Sequence, residues 1–560
     1  MKAGIARAHL VGGQSIEFDE NGGIYLLTGE NNSGKTKFLL ENFRSLNGSN
    51  VAKGLVIERT ELYKRGTVEE LIARLLQKGV RNGNHWSFAG ASFQSNFEGF
   101  YTNSGIVSLE RVLASQLTTA ERLSLSNPAP SIDFHKEPKS HPLQHLHRSV
   151  DKRQLLARYF KRAFGTEIAI DLLGSKVIPL HVGEGAEPRD GEDTIGDAYL
   201  LRLRSLPRLE EQGDGMRSFV GIILNVLFGD YDMTFLDEPE AFLHPPQARL
   251  LGNILARERP ENMQLFISTH SADFIRGCLD ANAESVRIAR ISRLQPGARI
   301  IELSQEELRE SWSDPVLRFS NVIEGLFHEK VIVCEADGDC RFYAAVAEAL
   351  KDAEDHPFVR DLMFVQAGGK GGVPKLIKAL RALSVPVAAV VDFDVFAQSG
   401  QMRAIIEALG GNPATYITDI ENIRADINKL GLRPTVLEAK SAMAAVLSSI
   451  ENEAPELPRN IDKRIRDAVK LAPGWARAKS SGMGMLDRPV RVVAEILLES
   501  LALIGLFIVP SGEMENFDPT ETADKNQWVN AVLERHRNDM ATTPTLASAR
   551  TFVSGFIRRT

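Results

Sequence analysis

The 560-residue sequence predicts an α/β protein made of two units, each built on a parallel sheet with its working groups at the carboxyl ends of the strands. Three observations carry this expectation. Residues 29–36, Gly-Glu-Asn-Asn-Ser-Gly-Lys-Thr, follow the apolar segment IYLLT and open the helical segment KFLLENFRSL. The apolar run Met233 to Leu236 stops at two adjacent acids, Asp237 and Glu238. Beyond Lys330, strand and helix patterns alternate, and the strands end in Glu335 and in Asp392-Phe-Asp394.

Composition sets the outer bounds. With 43% hydrophobic and 25% charged residues the chain reads as ordinary globular protein, too long for a single core. A net charge of −7 gives no global basic footprint, so any nucleic-acid surface has to be a local patch. Cys278, Cys334 and Cys340 lack metal-ligand spacing and are expected to be reduced thiols. The stretch MKAGIARAHLVGG lacks the apolar core of a signal peptide, and no run approaches a membrane span. A cytoplasmic protein without a membrane partner is therefore expected.

In chain order, residues 6–28 read as two strands joined by a polar turn at Asn21-Gly22-Gly23. Residues 29–36 match G-x-x-x-x-G-K-[ST]. Gly29 and Gly34 let the backbone N–H groups of the loop, Asn31, Asn32 and Ser33 included, wrap a nucleotide's phosphates. Lys35 reaches the β/γ oxygens, Thr36 ligates Mg²⁺, and the following helix turns its N-terminus to the phosphates. VAKGLVIER reads as a strand, and Gln94 is a weak candidate for a nucleotide-sensing glutamine. Helical patterns in LERVLASQL and KRQLLARYFKRAF predict a largely helical insertion over about 105–180, a possible dimerisation arm.

Gly213-Asp-Gly215-Met-Arg-Ser218 opens another apolar helix, a second anion-binding geometry that would otherwise be a plain helix cap. At the next strand end, two acids have no packing rationale, because a buried carboxylate is costly unless paired or holding a metal. Asp237 would hold the nucleotide's Mg²⁺ and Glu238 would polarise the attacking water. QLFIST then runs into His270, placed to contact the γ-phosphate.

Four elements in this order (29–36, 213–218, Asp237-Glu238, His270) resemble the ABC ATPase superfamily. The run EPEAFLHP and the short GDGMRS signature resemble its DNA-repair and phage-defence branch. The resemblance implies an ABC-type P-loop ATPase domain over 1–305. It also implies nucleotide-dependent pairing of two such heads, with ATP between the 29–36 loop of one copy and Gly213, Gly215 and Ser218 of another.

After a helical connector (306–328), residues 329–560 begin a second α/β pattern. Strand Lys330 to Cys334 leads to Glu335, and DLMFVQAG leads to the turn Gly368-Gly369-Lys370-Gly371-Gly372. VPVAAVV then leads to Asp392 and Asp394. Parallel topology gathers these acids at one rim, where, with no lysine or arginine partner evident, a divalent metal would neutralise them. Residues 405–500 are mainly helical and are expected to insert into or cover this sheet, with Arg459, Lys463, Arg464 and Arg466 as basic positions.

A glutamate after the first strand and D-x-D after a later one resemble the Rossmann-like Toprim domain. An ABC head followed by Toprim is similar to the overcoming-lysogenisation-defect (OLD) nucleases, whose relatives include Gabija-type defence nucleases. That resemblance implies a second acid, matched by Asp339, and a late Gly-x-x-Glu, matched by Gly512 and Glu515. It also implies a late lysine, for which Lys479 and Lys525 are possible.

The leading expectation is an ATP-binding, ATP-hydrolysing endonuclease using Mg²⁺, with Mn²⁺ possible at the Toprim site. Its catalytic residues would be Glu238, Glu335, Asp392 and Asp394, and its metal ligands Thr36, Asp237, Glu335, Asp339, Asp392, Asp394 and Glu515. Expected partners are nucleic acid, DNA first, other copies of the chain through the heads, and a defence-system protein. The alternative is an ATPase clamp or scaffold that binds nucleic acid or a partner protein without cutting. Strand passage would need a nucleophilic tyrosine, and Tyr343 is expected on a buried helix face.

Overall fold

The computed structural model describes residues 2–46, 54–83, 85–88, 91–94, 106, 109–134, 137, 139–293, 297–304, 306, 321–353, 361–429, 436–448, 474–521, 523 and 525–558. The chain divides into two compact units, Met1–Asp314 and Pro315–Thr560.

The first unit begins with β1 (Lys2–Leu10), β2 (Gly23–Thr28), α1 (Lys35–Ser45) and β3 (Ile57–Arg65). Next come β4 (Ala114–Leu117), α2 (Thr119–Leu125), α3 (Val150–Phe164) and α4 (Asp214–Phe228). They are followed by β5 (Met233–Asp237), α5 (Pro245–Glu258), β6 (Gln264–Ser268), α6 (Ala272–Asn282), β7 (Val286–Arg293) and β8 (Ala298–Glu302). The main sheet runs β8-β7-β2-β6-β5-β4. Its strands are parallel except β8, which pairs antiparallel with β7. A smaller antiparallel sheet joins Ser15–Glu17, β1 and β3.

Central strands flanked on both sides are continuous apolar runs, since both faces must leave water. All six residues of β2 are buried. Tyr25, Phe266 and Phe235 stack across β2, β6 and β5 at centroid distances of 5.1 and 5.0 Å. Each such ring contributes roughly 1.5–3 kcal/mol of burial.

The expected helical insertion over about 105–180 is corrected. Its first strand, β4, belongs to the main sheet and pairs with β5. The rest is mixed: α2, helix Pro142–His147 and α3 lie among short antiparallel pairs at 129–130 with 177–178 and at 168–170 with 180–182. The helical period in KRQLLARYFKRAF is real, but the apolar pairs between helices are too short to show a strand period of their own.

The second unit contains β9 (Lys330–Cys334), α7 (Asp337–Ala353), β10 (Leu362–Gln366), α8 (Val373–Ala382) and β11 (Val387–Val391). It continues with α9 (Gly474–Ser481), α10 (Arg488–Leu503), β12 (Leu506–Ile508), α11 (Lys525–Arg535) and α12 (Ala547–Ile557). Its sheet, β10-β9-β11-β12, is wholly parallel. Phe342 and Tyr343 on α7, Trp528 on α11 and Phe556 on α12 close one face of this sheet. Tyr343 is 1% exposed, as a core tyrosine. Helices fill much of 405–500, including Ile417–Lys429, Val436–Ser448, α9 and α10. Arg459, Lys463, Arg464 and Arg466 lie outside the described residues, as do the side chains of Gln94 and Lys525. Among the described residues no helix is long and apolar enough to cross a membrane.

Candidate functional site

The loop after β2 is shaped by three left-handed residues: Gly29 (φ 133), Asn32 (φ 62) and Gly34 (φ 110). At Gly29 the conformation and the space both demand glycine, because a Cβ would lie 2.1 Å from the Ile291 carbonyl oxygen. Gly34 then caps α1. Lys35 bends back over the loop, and its Nζ donates to the carbonyls of Gly29 (2.8 Å) and Glu30 (2.7 Å) and to Ser33 Oγ (3.4 Å). Burial pulls its ammonium down to about 8, against the opposing charges of Glu238, Glu30, Asp237 and Glu240. A desolvated cation held over a glycine loop at a helix N-terminus is the chemistry of a polyanion site.

Parallel register brings the next strand ends alongside, with Asp237 of β5 opposite Ser268 of β6. Thr36 Oγ1 donates to Asp237 Oδ1 at 3.0 Å, and Ser268 Oγ donates to the same oxygen. Thr36 and Asp237 are thus side by side, and both present oxygen donors that fit Mg²⁺. Glu238 is exposed, at φ 46. A non-glycine residue there, directly before Pro239, costs about 1–3 kcal/mol, strain of the kind found at functional sites. Its N–H donates to the Ser268 carbonyl (3.0 Å), and its Oε1 stands 3.6 Å from His270 Nε2. Burial, then the Lys35 charge, lowers His270 to about 4, so the ring is neutral at neutral pH.

Two residues here escaped sequence reasoning. Glu240 Oε1 accepts from Thr269 Oγ1 (2.9 Å) and from the His270 N–H (2.7 Å), and burial raises its pKa. Arg122 of α2, fully buried, donates from Nη1 to the Asp237 carbonyl at 2.6 Å. Glu240 was visible in the EPEAFLHP run. Arg122 carried no signal, because its partner lies more than a hundred residues away in sequence.

Gly213 stands at the N-cap of α4, exposed, with Gly215 half-buried behind it. A Cβ on Gly215 would come within 2.7 Å of the Phe242 carbonyl oxygen. The expectation that Ser218 faces nucleotide is corrected. Ser218 is 0% exposed, on the helix face shared with Phe219 and Ile222. Little more than one turn separates the open first residues of this helix from its packed side.

In the second unit, Glu335 follows β9 and Asp392 follows the neighbouring strand β11. Glu335 Oε1 accepts the Asp392 N–H at 3.0 Å. Burial raises the Glu335 carboxyl to about 7; Lys370 and the Asp392 N–H oppose the rise, and Asp394 and Asp339 add to it. Asp339 Oδ2 accepts the Ala336 N–H at 2.9 Å, so it also braces the start of α7. Glu515, with Asp339 and Asp392, lies within electrostatic reach of Tyr343, at this same end of the sheet. The Phe393 N–H donates to the Gly512 carbonyl (2.8 Å), which fastens the loop after β12 to the D-x-D segment.

The expectation of a rim without a basic partner is corrected. Lys370, on the glycine turn after β10, pairs directly with Asp394, and both side chains are sheltered, at 15% and 23% exposure. The pairing was hidden because the two residues stand on different loops, 24 positions apart. Lys479 of α9 sits 3.4 Å from Glu513, and a Cβ on Gly512 would meet the Lys479 carbonyl oxygen at 2.2 Å. Lys479 thus stands beside the rim loop, facing Glu513 of the Gly-x-x-Glu segment.

The donor set of this rim, all carboxylate oxygen with one carboxyl destabilised by burial, fits a hard divalent cation. Among the described residues no group of three or more His, Cys, Asp or Glu side chains is already gathered to hold a metal.

Comparison with known proteins agrees with both halves. Residues 186–276 match a family model described as "AAA domain, putative AbiEii toxin, Type IV TA system", and residues 326–394 match one described as "Overcoming lysogenization defect protein-like, TOPRIM domain". The chain is 28% identical over 166 residues to the Old nuclease of Escherichia phage P2, covering 29% of this chain and 28% of that protein. It is 26% identical over 231 residues to the OLD nuclease of Thermus scotoductus, covering 39% of this chain and 42% of that protein. The chain thus spans between about a quarter and two-fifths of the length of these relatives. Among solved structures, an Smc head bound to the C-terminal winged-helix domain of ScpA matches at 13% identity with a TM-score of 0.32, over 54% of this chain and 99% of that one. An AAA-type ATPase domain and an OLD-like Toprim domain are joined in this one chain, the architecture on which its likeness to the OLD family rests.

Proposed function

We propose that the chain is an ATP-binding, ATP-hydrolysing and divalent-cation-dependent endonuclease that nicks or cuts DNA. The observation that carries the nuclease half is the convergence of Glu335 and Asp392 from two separate strand ends, one carboxylate accepting the other residue's N–H. A binding surface for a polyanion has no use for clustered carboxylates, whereas a cutting site does.

In the ATPase domain, the 29–34 backbone and Lys35 bind and orient the phosphates. Thr36 and Asp237 would hold Mg²⁺, Glu238 positions and deprotonates water, and neutral His270 donates to the γ-phosphate. Gly213 and Gly215 serve the ATP of another copy, so the active form is at least a dimer. In the Toprim domain, Glu335, Asp339, Asp392, Asp394 and Glu515 would hold Mg²⁺ or Mn²⁺. A bound cation would supply charge neutralisation and a water acidified toward neutrality. A cytoplasmic role in phage defence or DNA processing extends this from the OLD resemblance alone.

The test is plasmid cleavage by the purified chain with Mg²⁺ or Mn²⁺, with and without ATP. Asp392→Ala should lower cleavage at least about a hundredfold while ATP binding stays intact. Retained cleavage would remove Asp392 from the site. The direct pairing of Asp394 with Lys370 favours a second possibility, an ATPase clamp that binds DNA uncut. That possibility predicts metal-independent DNA binding and no cleavage in any lane.

A further inference from the structure

The turn between β10 and α8 has an unusual construction. Gly368 and Gly369 adopt φ 67 and 105, and for Gly368, Gly369 and Gly371 a Cβ would find nothing within 4 Å. Gly368 and Gly369 are there for backbone conformation and not for close packing. The turn is anchored to the rim by two backbone hydrogen bonds of 2.8 Å, from the Ala367 N–H to the Cys334 carbonyl and from the Gly369 N–H to the Glu335 carbonyl. From this anchor Lys370 reaches Asp394. Its charge is also the largest influence opposing burial at the Glu335 carboxyl. One ammonium thus serves acids from both central strands. It arrives on a surface turn in which Gly368 and Gly371 are exposed, outside the packed core.

A lysine is the cation a site would choose if the charge must later be surrendered. Its ammonium is a point charge on a flexible stem, without the fixed two-pronged grip of a guanidinium. Mono-charged and singly contacting, it is outcompeted at carboxylates by a divalent ion, and phosphate oxygens are an equally good alternative partner for it.

We propose that Lys370 is the resident counter-ion of the acidic rim: it holds Asp394 until that carboxylate takes a divalent cation, and its ammonium then passes to a phosphate of the nucleic acid. This rests on the nuclease function proposed above. It adds that metal and nucleic acid enter the rim as a linked pair, each favouring the other by the same factor.

The experiment is calorimetric titration of Mn²⁺ into the full chain without nucleic acid. Lys370→Met removes the charge and keeps the length, and it should bind Mn²⁺ about tenfold more tightly than wild type, the scale of one lost competing ion pair. Lys370→Arg keeps the charge and adds a two-pronged grip on the carboxylate, so it should bind Mn²⁺ no more tightly than wild type. In a second titration a cleavage-resistant phosphorothioate duplex should tighten Mn²⁺ binding to wild type and leave Lys370→Met unmoved. A merely structural ion pair would instead lower the melting temperature of Lys370→Met in chelator and leave its Mn²⁺ affinity unchanged, which would overturn the proposal. Asp392→Asn separates the two levels. If it abolishes Mn²⁺ binding while Lys370→Met binds like wild type, the counter-ion role falls and the nuclease function stands. If no binding in any variant depends on Asp392, both fall.

Discussion

Glu335 titrates in the folded chain near 7, above its ordinary 4.5, chiefly because it is buried. The folded state therefore holds this proton more tightly than the unfolded state does. Its contribution to stability is complete below about 4.5 and is lost as the pH rises through about 7. In chelator, Glu335→Gln should raise the melting temperature by about 2–4 °C at pH 8 and change little at pH 5, as calorimetry at the two pH values would read. Lys35→Ala removes the one buried ammonium on the 29–36 loop and should weaken ATP binding at least about tenfold, measured with a fluorescent nucleotide. The residues that sequence reasoning located, Lys35, Asp237, Glu335 and Asp392, stand at the ends of strands or open helices, where a local pattern announces them. Those it missed, Arg122, Lys370 and Glu513, act through partners on other segments, and no local pattern encodes a long-range pair.

Among elements, the parallel strands were legible because full burial writes itself as an uninterrupted apolar run, as in β9 and β11. β4 was not, since four residues with Ser115 and Gln116 at the centre show neither a run nor an alternation. Ser218 was misplaced for a related reason: a motif fixes which residues begin a helix, while packing decides which face of it stays open. The helix Pro142–His147 is capped by a histidine. His141 Nδ1 accepts the Leu143 N–H at 3.2 Å, and burial holds the ring down to about 4. His145 is likewise lowered to about 4 by burial. Depressed histidines contribute stability that is present above their ordinary 6.5 and lost as the pH falls toward 4. His141→Asn keeps a capping acceptor and cannot titrate. It should flatten the loss of melting temperature between pH 6.5 and pH 4 relative to wild type.

For the whole molecule, a net charge of −7 means that binding to a polyanion works against the mean field and has to be local. DNA affinity of the cleavage-deficient Asp392→Ala chain should accordingly fall steeply with added salt, a dependence that filter binding would measure. If the heads pair through ATP as proposed, sedimentation should show ATP enlarging the wild-type particle and leaving Lys35→Ala unchanged. One packing detail has a mechanical outcome. At Gly221 a Cβ would fall 2.0 Å from the Arg122 carbonyl, so α2 and α4 cross in direct backbone contact, and Arg122 in turn grips the carbonyl of Asp237. The crossing is a fulcrum without slack. The helix opened by Gly213 cannot tilt without dragging the floor beneath Asp237. A single methyl at 221 should disengage that lever, giving a chain that still takes up ATP yet turns it over slowly, which phosphate release beside nucleotide binding would reveal.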